Sequence, residues 1–89
     1  MIFEVDVERA LVAQVKTLGG MAEKFTSPNR RSVPDRLITL PGGVVVFVEL
    51  KRPGQKPTDA QVRDHYRRRA LGCRVVVIDN IRDAKNFTG

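Results

Sequence analysis

The chain has 89 residues, of which 42% are hydrophobic and 29% are charged. This length suits a single compact domain over residues 1–89 and excludes a large multidomain enzyme. Sixteen Lys and Arg against ten Asp and Glu give a net charge of +6, which makes polyanions the expected partners. A domain this small has a thin stability margin, so we expect it to associate as a homodimer.

The pattern of apolar residues and the few Cys and His residues argue against a membrane-spanning protein, a disulfide-rich protein and a zinc-binding domain. The longest apolar run, residues 44–50, is far shorter than the ~20 residues of a membrane-spanning helix, and the N-terminus lacks the basic start of a signal peptide. We therefore expect a soluble, intracellular protein with no organic cofactor. The one cysteine, Cys73, and the one histidine, His65, form neither a disulfide framework nor a zinc site, so any metal ion needs oxygen ligands.

The first third of the chain predicts a helix, a short strand and a basic loop. Residues 5–18 carry Leu11, Val15 and other apolar residues at helical spacing, and Gly19-Gly20 follows as a stop signal. Residues 21–25 alternate loosely, which is typical of a short strand. Residues 26–32 are rich in turn-forming and basic residues, so we expect an exposed loop.

A β-hairpin is the clearest local pattern in the sequence. Residues 36–40 and 44–50 are β-branched and aromatic runs on either side of the three-residue turn Pro41-Gly42-Gly43. The second run is apolar at successive positions, so both of its faces are expected to be covered. It should lie in the middle of a sheet.

The remaining elements predict a helix between two parallel strands, and hence an α/β fold with a mixed sheet. Thr58 and Gln61 match a capping box, which opens a helix with Val62, Tyr66 and Ala70 on one stripe. Residues 74–79 form a final buried strand, and a strand-helix-strand unit of this length makes its two strands parallel. We expect residues 81–89 to form a frayed last turn of helix.

Glu49 lies inside an apolar strand, where a charged side chain is costly unless it is paired or binds a metal ion. Strand alternation puts Lys51 on the same face. If Leu40 pairs with Val44 across the turn, Asp35 lies opposite Glu49, with Cβ atoms about 4.5–5.5 Å apart. Two carboxylates this close favour a divalent cation between them, and Mg²⁺ or Mn²⁺ suit their hard oxygens. Lys51 could orient a water molecule or offset developing charge.

Glu8 is a further candidate, three residues before Leu11 and seven before Val15 on the first predicted helix. This spacing puts it on or beside the apolar stripe, where a partly buried carboxylate could join the metal ligands. The alternative is an ordinary carboxylate near the helix N-terminus, which the helix dipole favours. The spacing leaves both interpretations open.

Val33-Pro34-Asp35, followed by Glu49-Leu50-Lys51 at the end of an apolar strand, resembles the PD-(D/E)XK nuclease signature. The predicted order αβββαβ is similar to the restriction-endonuclease-like core of that superfamily, a mixed β-sheet flanked by helices. Within it, the chain resembles the VRR-Nuc domain through four segments: Lys24-Phe25, Arg31-Ser32-Val33-Pro34-Asp35, Phe47-Val48-Glu49-Leu50-Lys51 and Thr58-Asp59-Ala60-Gln61. The resemblance covers roughly residues 5–79.

This resemblance implies a Mg²⁺-dependent endonuclease that hydrolyses phosphodiester bonds in DNA, with Mn²⁺ as a substitute. The roles it implies are metal ligation by Asp35, Glu49 and the Leu50 carbonyl, catalysis by Lys51, and further site roles for Glu8 and Gln61. Stand-alone, single-domain members look like phage-type enzymes that dimerise and cut branched DNA such as four-way junctions. The resemblance therefore implies a homodimer acting on branched DNA in the cytoplasm of a bacterial or infected host cell. Ser32 departs from the family, where glycine is frequent, so the loop conformation is expected to differ slightly.

Six basic residues are candidates for DNA contacts. Four flank the proposed metal site in the sequence and two belong to the arginine run of the second predicted helix: Lys24, Arg30, Arg31, Arg52, Arg67 and Arg68. Arginine runs are most often solvated helix faces. Beside a phosphodiester site, a phosphate-contacting role is equally reasonable, with binding that weakens steeply in salt.

Simpler interpretations exist for single residues and for the whole chain. Asp35 after a proline is common in turns, and Gln61 has a structural role as the capping partner of Thr58. We expect His65 on the helix surface and Tyr66 in the core. The alternatives for the chain are a non-catalytic nucleic-acid-binding module and a structural subunit of a nucleoprotein assembly. The latter gives no reason for an acid pair in an apolar hairpin.

Overall fold

The computed structural model describes residues 1–89. Seven elements follow in chain order: α1 (Glu4–Thr17), β1 (Met21–Lys24), β2 (Arg36–Leu40), β3 (Val44–Leu50), α2 (Asp59–Ala70), β4 (Val75–Ile78) and α3 (Ile81–Lys85). The predicted order αβββαβ is confirmed, with one further short helix at the end. None of the three helices has the length and apolar character that crossing a lipid bilayer requires.

The four strands form one mixed sheet in the order β1-β2-β3-β4. The pairs β1–β2 and β2–β3 are antiparallel, and β3–β4 is parallel. Leu40 pairs with Val44, which is the predicted register of the hairpin. Gly42 and Gly43 make the turn with φ of 88° and 77°, a conformation that side chains with a Cβ rarely adopt. As predicted, β3 lies inside the sheet.

One face of the sheet packs against α1 and carries the core. Val7, Leu11 and Val15 of α1 are at most 1% exposed, as helical spacing predicts. They pack in one cluster with the alternate β3 residues Val46, Val48 and Leu50. Full burial of such a side chain contributes about 1.5–3 kcal/mol, so this layer provides the rigid base on which the opposite face of β3 is displayed.

The C-terminal segment is better ordered than the sequence suggests, and the expected frayed turn is wrong. Asn80 caps α3 by accepting the backbone N–H of Asp83 at 2.8 Å. Ala84 and Phe87 are buried in the core cluster. The side-chain amide of Gln14 donates to the Phe87 carbonyl at 2.8 Å, which ties the segment to α1. Apolar burial, which a local pattern of nine residues does not reveal, holds this end in place.

Helix α2 lies against the other face of the sheet, with its polar side inward. Its predicted capping box is present, but the stripe through Val62 and Tyr66 faces solvent, with Tyr66 76% exposed. Asp64 and His65 are buried instead. The expected core position of Tyr66 is therefore wrong. The physical reason is the chemistry of the sheet below, where the buried carboxylate of Glu49 requires polar partners.

Candidate active site

Asp35 and Glu49 meet where β2 begins and β3 ends. The hairpin register pairs Arg36 with Val48, so its continuation brings Asp35 opposite Glu49, as predicted. An Asp35 carboxylate oxygen accepts the backbone N–H of Leu50 at 2.7 Å, which fixes it against β3. Glu49 is only 1% exposed. The turn glycines and the register therefore bring together two carboxyls that are separate in the sequence.

The pKa of Glu49 is raised to about 9, mainly because burial penalises its charged form. A hydrogen bond and the negative charge of Asp35 raise this pKa further, while the Lys51 ammonium lowers it. Without a cation, the buried Glu49 carboxyl therefore keeps its proton at neutral pH. A bound cation would take the place of that proton.

Lys51 follows β3 directly and is only 7% exposed. Its backbone N–H donates to the Ile78 carbonyl at 3.0 Å, so the residue is held by the parallel neighbour β4. Its ammonium lowers the pKa values of both Glu49 and Glu4, which shows that it sits among the acidic groups. This is the relation to the acid pair that strand alternation predicts.

Helix α2 contacts both oxygens of the Glu49 carboxylate. The amide of Gln61 donates to Oε2 at 3.3 Å, and Nε2 of His65 lies 3.3 Å from Oε1. Gln61 thus contacts a predicted metal ligand while still capping α2. His65 is 2% exposed, so its expected surface position is wrong. Its spacing of four residues from Gln61 puts both on one helix face, a signal that sequence reasoning did not use.

Glu4 is the carboxylate of α1 that interacts with the site. Its pKa is raised, first by burial and then by the charges of Asp35 and Glu8, while Lys51 lowers it. Glu8 instead pairs with Arg36 at 3.0 Å, one turn along the helix. The spacing that selected Glu8 also selects Glu4, seven residues before Leu11. The predicted helix begins at residue 5, which left Glu4 outside it.

These donors fit a Mg²⁺ or Mn²⁺ ion held by few protein ligands. No three acidic, His or Cys side chains form a closed metal-binding cluster. Mg²⁺ is usually bound through one or two carboxylates and keeps several water molecules. Asp35 and Glu49 supply two hard carboxylates whose repulsion a cation would relieve, and the Leu50 carbonyl next to Glu49 stays a predicted third ligand.

Arg68 and Arg30 belong to a network around a buried carboxylate on α2. Asp64 is 3% exposed and pairs with Arg68 at 2.8 Å and Arg30 at 3.4 Å. The Arg68 guanidinium also lies 5.2 Å from the ring centroid of Phe25 and 4.8 Å from that of Phe47. Arg68 is therefore engaged within the fold rather than free for phosphate. Arg30 links the basic loop to α2.

The other predicted DNA contacts are exposed: Lys24, Arg31, Arg52 and Arg67. Arg31 and Asp35 line one cleft of about 320 Å³, together with Arg30 and other residues of the basic loop. The cleft places positive side chains beside Asp35 of the acid pair. A phosphate backbone that follows this loop would thus pass beside Asp35.

Comparisons with known proteins agree with this geometry. No protein-family model matches the chain. A protein of Acyrthosiphon pisum secondary endosymbiont phage 1 named "Putative nuclease p44" is 52% identical over 80 residues, which cover 90% of this chain and 86% of the phage protein. A solved structure described as a VRR_NUC domain is similar with a TM-score of 0.88 and 33% identity, covering 93% of this chain and 90% of that one.

Proposed function

Because the chain belongs to the VRR-Nuc family of nucleases, we propose that it is a metal-dependent DNA endonuclease selective for branched DNA such as four-way junctions. The observation that carries the proposal is the buried Glu49 carboxyl beside Asp35, with a pKa raised to about 9 and Lys51 next to it. A fold does not keep an acid pair in its interior for stability, since the pair is costly without a counter-charge.

The residues have separable roles in the proposed reaction. Asp35 and Glu49 hold the ion, with the Leu50 carbonyl as a further ligand and Glu4 facing the same group of charges. An ion held there would supply Lewis-acid chemistry, which would polarise the scissile phosphate and lower the pKa of an attacking water molecule. Lys51 orients that water and offsets the negative charge that grows on the phosphate. Gln61 steadies Glu49 through the hydrogen bond to Oε2.

The exposed basic residues support DNA as the substrate. Lys24, Arg31 and Arg52 flank the acid pair in the sequence and Arg67 lies on α2, all with exposed side chains. Each Lys or Arg that neutralises a phosphate steepens the loss of affinity with salt. We therefore assign these residues to the phosphate backbone, and Arg30 to the same surface through its half-exposed side chain.

Branched-DNA selectivity follows from pairing two sites. One chain carries one acid pair, while resolving a four-way junction requires one cut in each of two strands. A two-fold symmetric dimer presents two identical sites in a fixed arrangement, which matches the symmetry of a junction. The exposed apolar side chains Val62, Tyr66 and Leu71 support self-association.

A cleavage panel tests the proposal. Linear duplex, nicked, flap and four-way-junction DNAs of matched sequence are incubated with Mg²⁺, Mn²⁺, Ca²⁺ or EDTA, beside a Lys51→Met control. We expect junction products with Mg²⁺ and Mn²⁺ and none with EDTA. Cleavage that persists in EDTA would exclude a metal mechanism, and binding without any products would favour the non-catalytic module. A molar mass by light scattering that corresponds to a monomer would contradict the proposed dimer.

A further inference from the structure

His65 is the only histidine of the chain, and the fold buries it at the acid pair. It lies one helical turn after Gln61 on α2 and reaches down to the face of β3 that carries Glu49. A polar ring at 2% exposure needs a hydrogen-bond partner. The partner is a carboxylate oxygen that takes part in the proposed function.

The geometry around Glu49 shows what the ring adds. Gln61 donates to Oε2 at 3.3 Å, and its own carbonyl oxygen accepts the Thr58 backbone N–H at 2.9 Å, so its amide orientation is fixed. This contact restrains Oε2, and Asp35 interacts with the same carboxyl from the loop before β2. Nε2 of His65, at 3.3 Å from Oε1, contacts the other oxygen from α2.

We propose that His65 is a positioning residue, which holds the Glu49 carboxylate in the orientation that binds the metal ion by donating a hydrogen bond from Nε2 to Oε1. This inference rests on the metal-dependent function proposed above. Each carboxylate oxygen has two lone-pair directions, so Oε1 and Oε2 can accept from α2 and still face the ion. Groups that orient metal ligands in this way influence affinity although they never touch the metal.

A merely structural His65 would behave differently from a positioning one. A structural ring fills space and satisfies a polar group, so its replacement lowers thermal stability and leaves the metal affinity of the folded protein unchanged. A positioning ring affects metal binding at constant fold. A replacement that keeps a donor near Nε2 restores that binding. Metal affinity, measured beside stability, therefore separates the two.

The test compares four full-length variants by Mn²⁺ titration calorimetry, thermal unfolding and cleavage at saturating Mn²⁺. His65→Leu removes the donor, and His65→Gln carries an amide that reaches about as far as Nε2. His65→Asn carries the same amide one methylene shorter. Arg63→Leu is the matched control, because it places leucine at an exposed position of the same helix.

We expect His65→Leu to bind Mn²⁺ about 10–100-fold more weakly than wild type. His65→Gln should stay close to wild type in Mn²⁺ affinity, and Arg63→Leu should match the wild type. In the wild type, the ¹⁵N shifts of the imidazole should identify the Nε2–H tautomer. If His65→Leu does not fold, the same contrast is read between His65→Gln and the shorter His65→Asn.

Wild-type Mn²⁺ affinity in a folded His65→Leu protein would overturn the inference and leave the proposed nuclease mechanism intact. The inference would also be overturned if His65→Gln and His65→Leu bound Mn²⁺ equally weakly. If His65→Leu is unfolded, the same holds for equally weak binding by His65→Gln and His65→Asn. Failure of the proposed function looks different, because the wild type itself would then bind no Mn²⁺ and its cleavage would survive EDTA. That result would remove the inference together with the metal.

Discussion

The backbone N–H of Leu50 donates to the Asp35 carboxylate at 2.7 Å. This bond joins the loop before β2 to the end of β3, so Asp35 supports the hairpin as well as the acid pair. Asp35→Ala would leave a partly buried donor without its acceptor, at a cost of about 1–3 kcal/mol. Asp35→Asn keeps an acceptor oxygen and is therefore the cleaner removal of the negative charge.

For Asp35→Asn we expect a folded protein that binds DNA and fails to cleave it. The lost charge removes one of two carboxylate ligands, so Mn²⁺ binding by calorimetry should weaken at least about tenfold. Circular dichroism and thermal unfolding serve as the fold control. Unchanged Mn²⁺ affinity in a folded Asp35→Asn protein would remove this residue from the metal site.

Lys51→Met tests the catalytic ammonium. Met keeps most of the length of the buried side chain but no charge, so the fold and DNA affinity should persist. The cleavage rate should fall about 10²–10³-fold, as expected when a group that stabilises transition-state charge is removed. Single-turnover assays with excess enzyme measure the step directly. The control is Lys56→Met, which changes an exposed lysine of the same loop. If Lys51→Met cleaves DNA as fast as Lys56→Met, Lys51 has no catalytic role.

The raised pKa of Glu49 predicts a stability that depends on pH. A carboxyl whose folded pKa is about 9, against 4.5 unperturbed, favours the fold while protonated, so stability is present at low pH and is lost as pH rises toward 9. In EDTA, Glu49→Gln should flatten this loss and unfold at a higher temperature than wild type at pH 8. Each kcal/mol gained raises the Tm by about 4–8 °C. If the Tm of Glu49→Gln and the Tm of wild type fall with pH in parallel, the burial of the Glu49 charge is contradicted.

Arg67 and Arg68 form a matched pair on α2. Arg67 is exposed, so Arg67→Ala should weaken DNA binding, lower the slope of log affinity against log salt by about one, and leave the Tm unchanged. Arg68→Ala removes the closer of the two partners of buried Asp64 and two ring contacts, so it should cost stability by about 1–3 kcal/mol. Thermal unfolding and salt titrations of binding measure both. A stable Arg68→Ala protein with weak DNA binding would reverse the assignment.

Glu4 and Glu8 form a second matched pair, on α1. Glu4→Gln should weaken Mn²⁺ binding about tenfold, because its carboxylate lies among the charges of the site. Glu8→Gln breaks an ion pair with Arg36 and should change stability by less than about 1 kcal/mol, with metal affinity retained. Calorimetry on both proteins separates them. The opposite ranking would restore Glu8 as the helix carboxylate of the site.

The hairpin and its acid pair were predictable from the sequence because their determinants are local. Two glycines set the turn, the turn sets the register, and the register brings Asp35 opposite Glu49. The same holds for the capping box that opens α2. In each case the residues that decide the geometry lie within about one hairpin or one helical turn of each other.

The orientation of α2 was not predictable in the same way. Its apolar stripe suggested an inward Tyr66, yet the buried side carries Asp64 and His65. Those groups are tolerated because Arg30 and Glu49, far away in the chain, supply their partners. Helical periodicity describes one helix alone, whereas polar burial is decided by side chains that meet only after folding.

In the Thr58–Gln61 capping box, the side-chain amide of Gln61 makes two hydrogen bonds with different roles. Its oxygen starts the helix by accepting from Thr58, and its nitrogen steadies the acidic side chain beneath. Any engineering that swaps this glutamine for another capping residue, such as glutamate, would set a second anion against Glu49. A substitution of Gln61 therefore changes both the stability of α2 and the environment of Glu49.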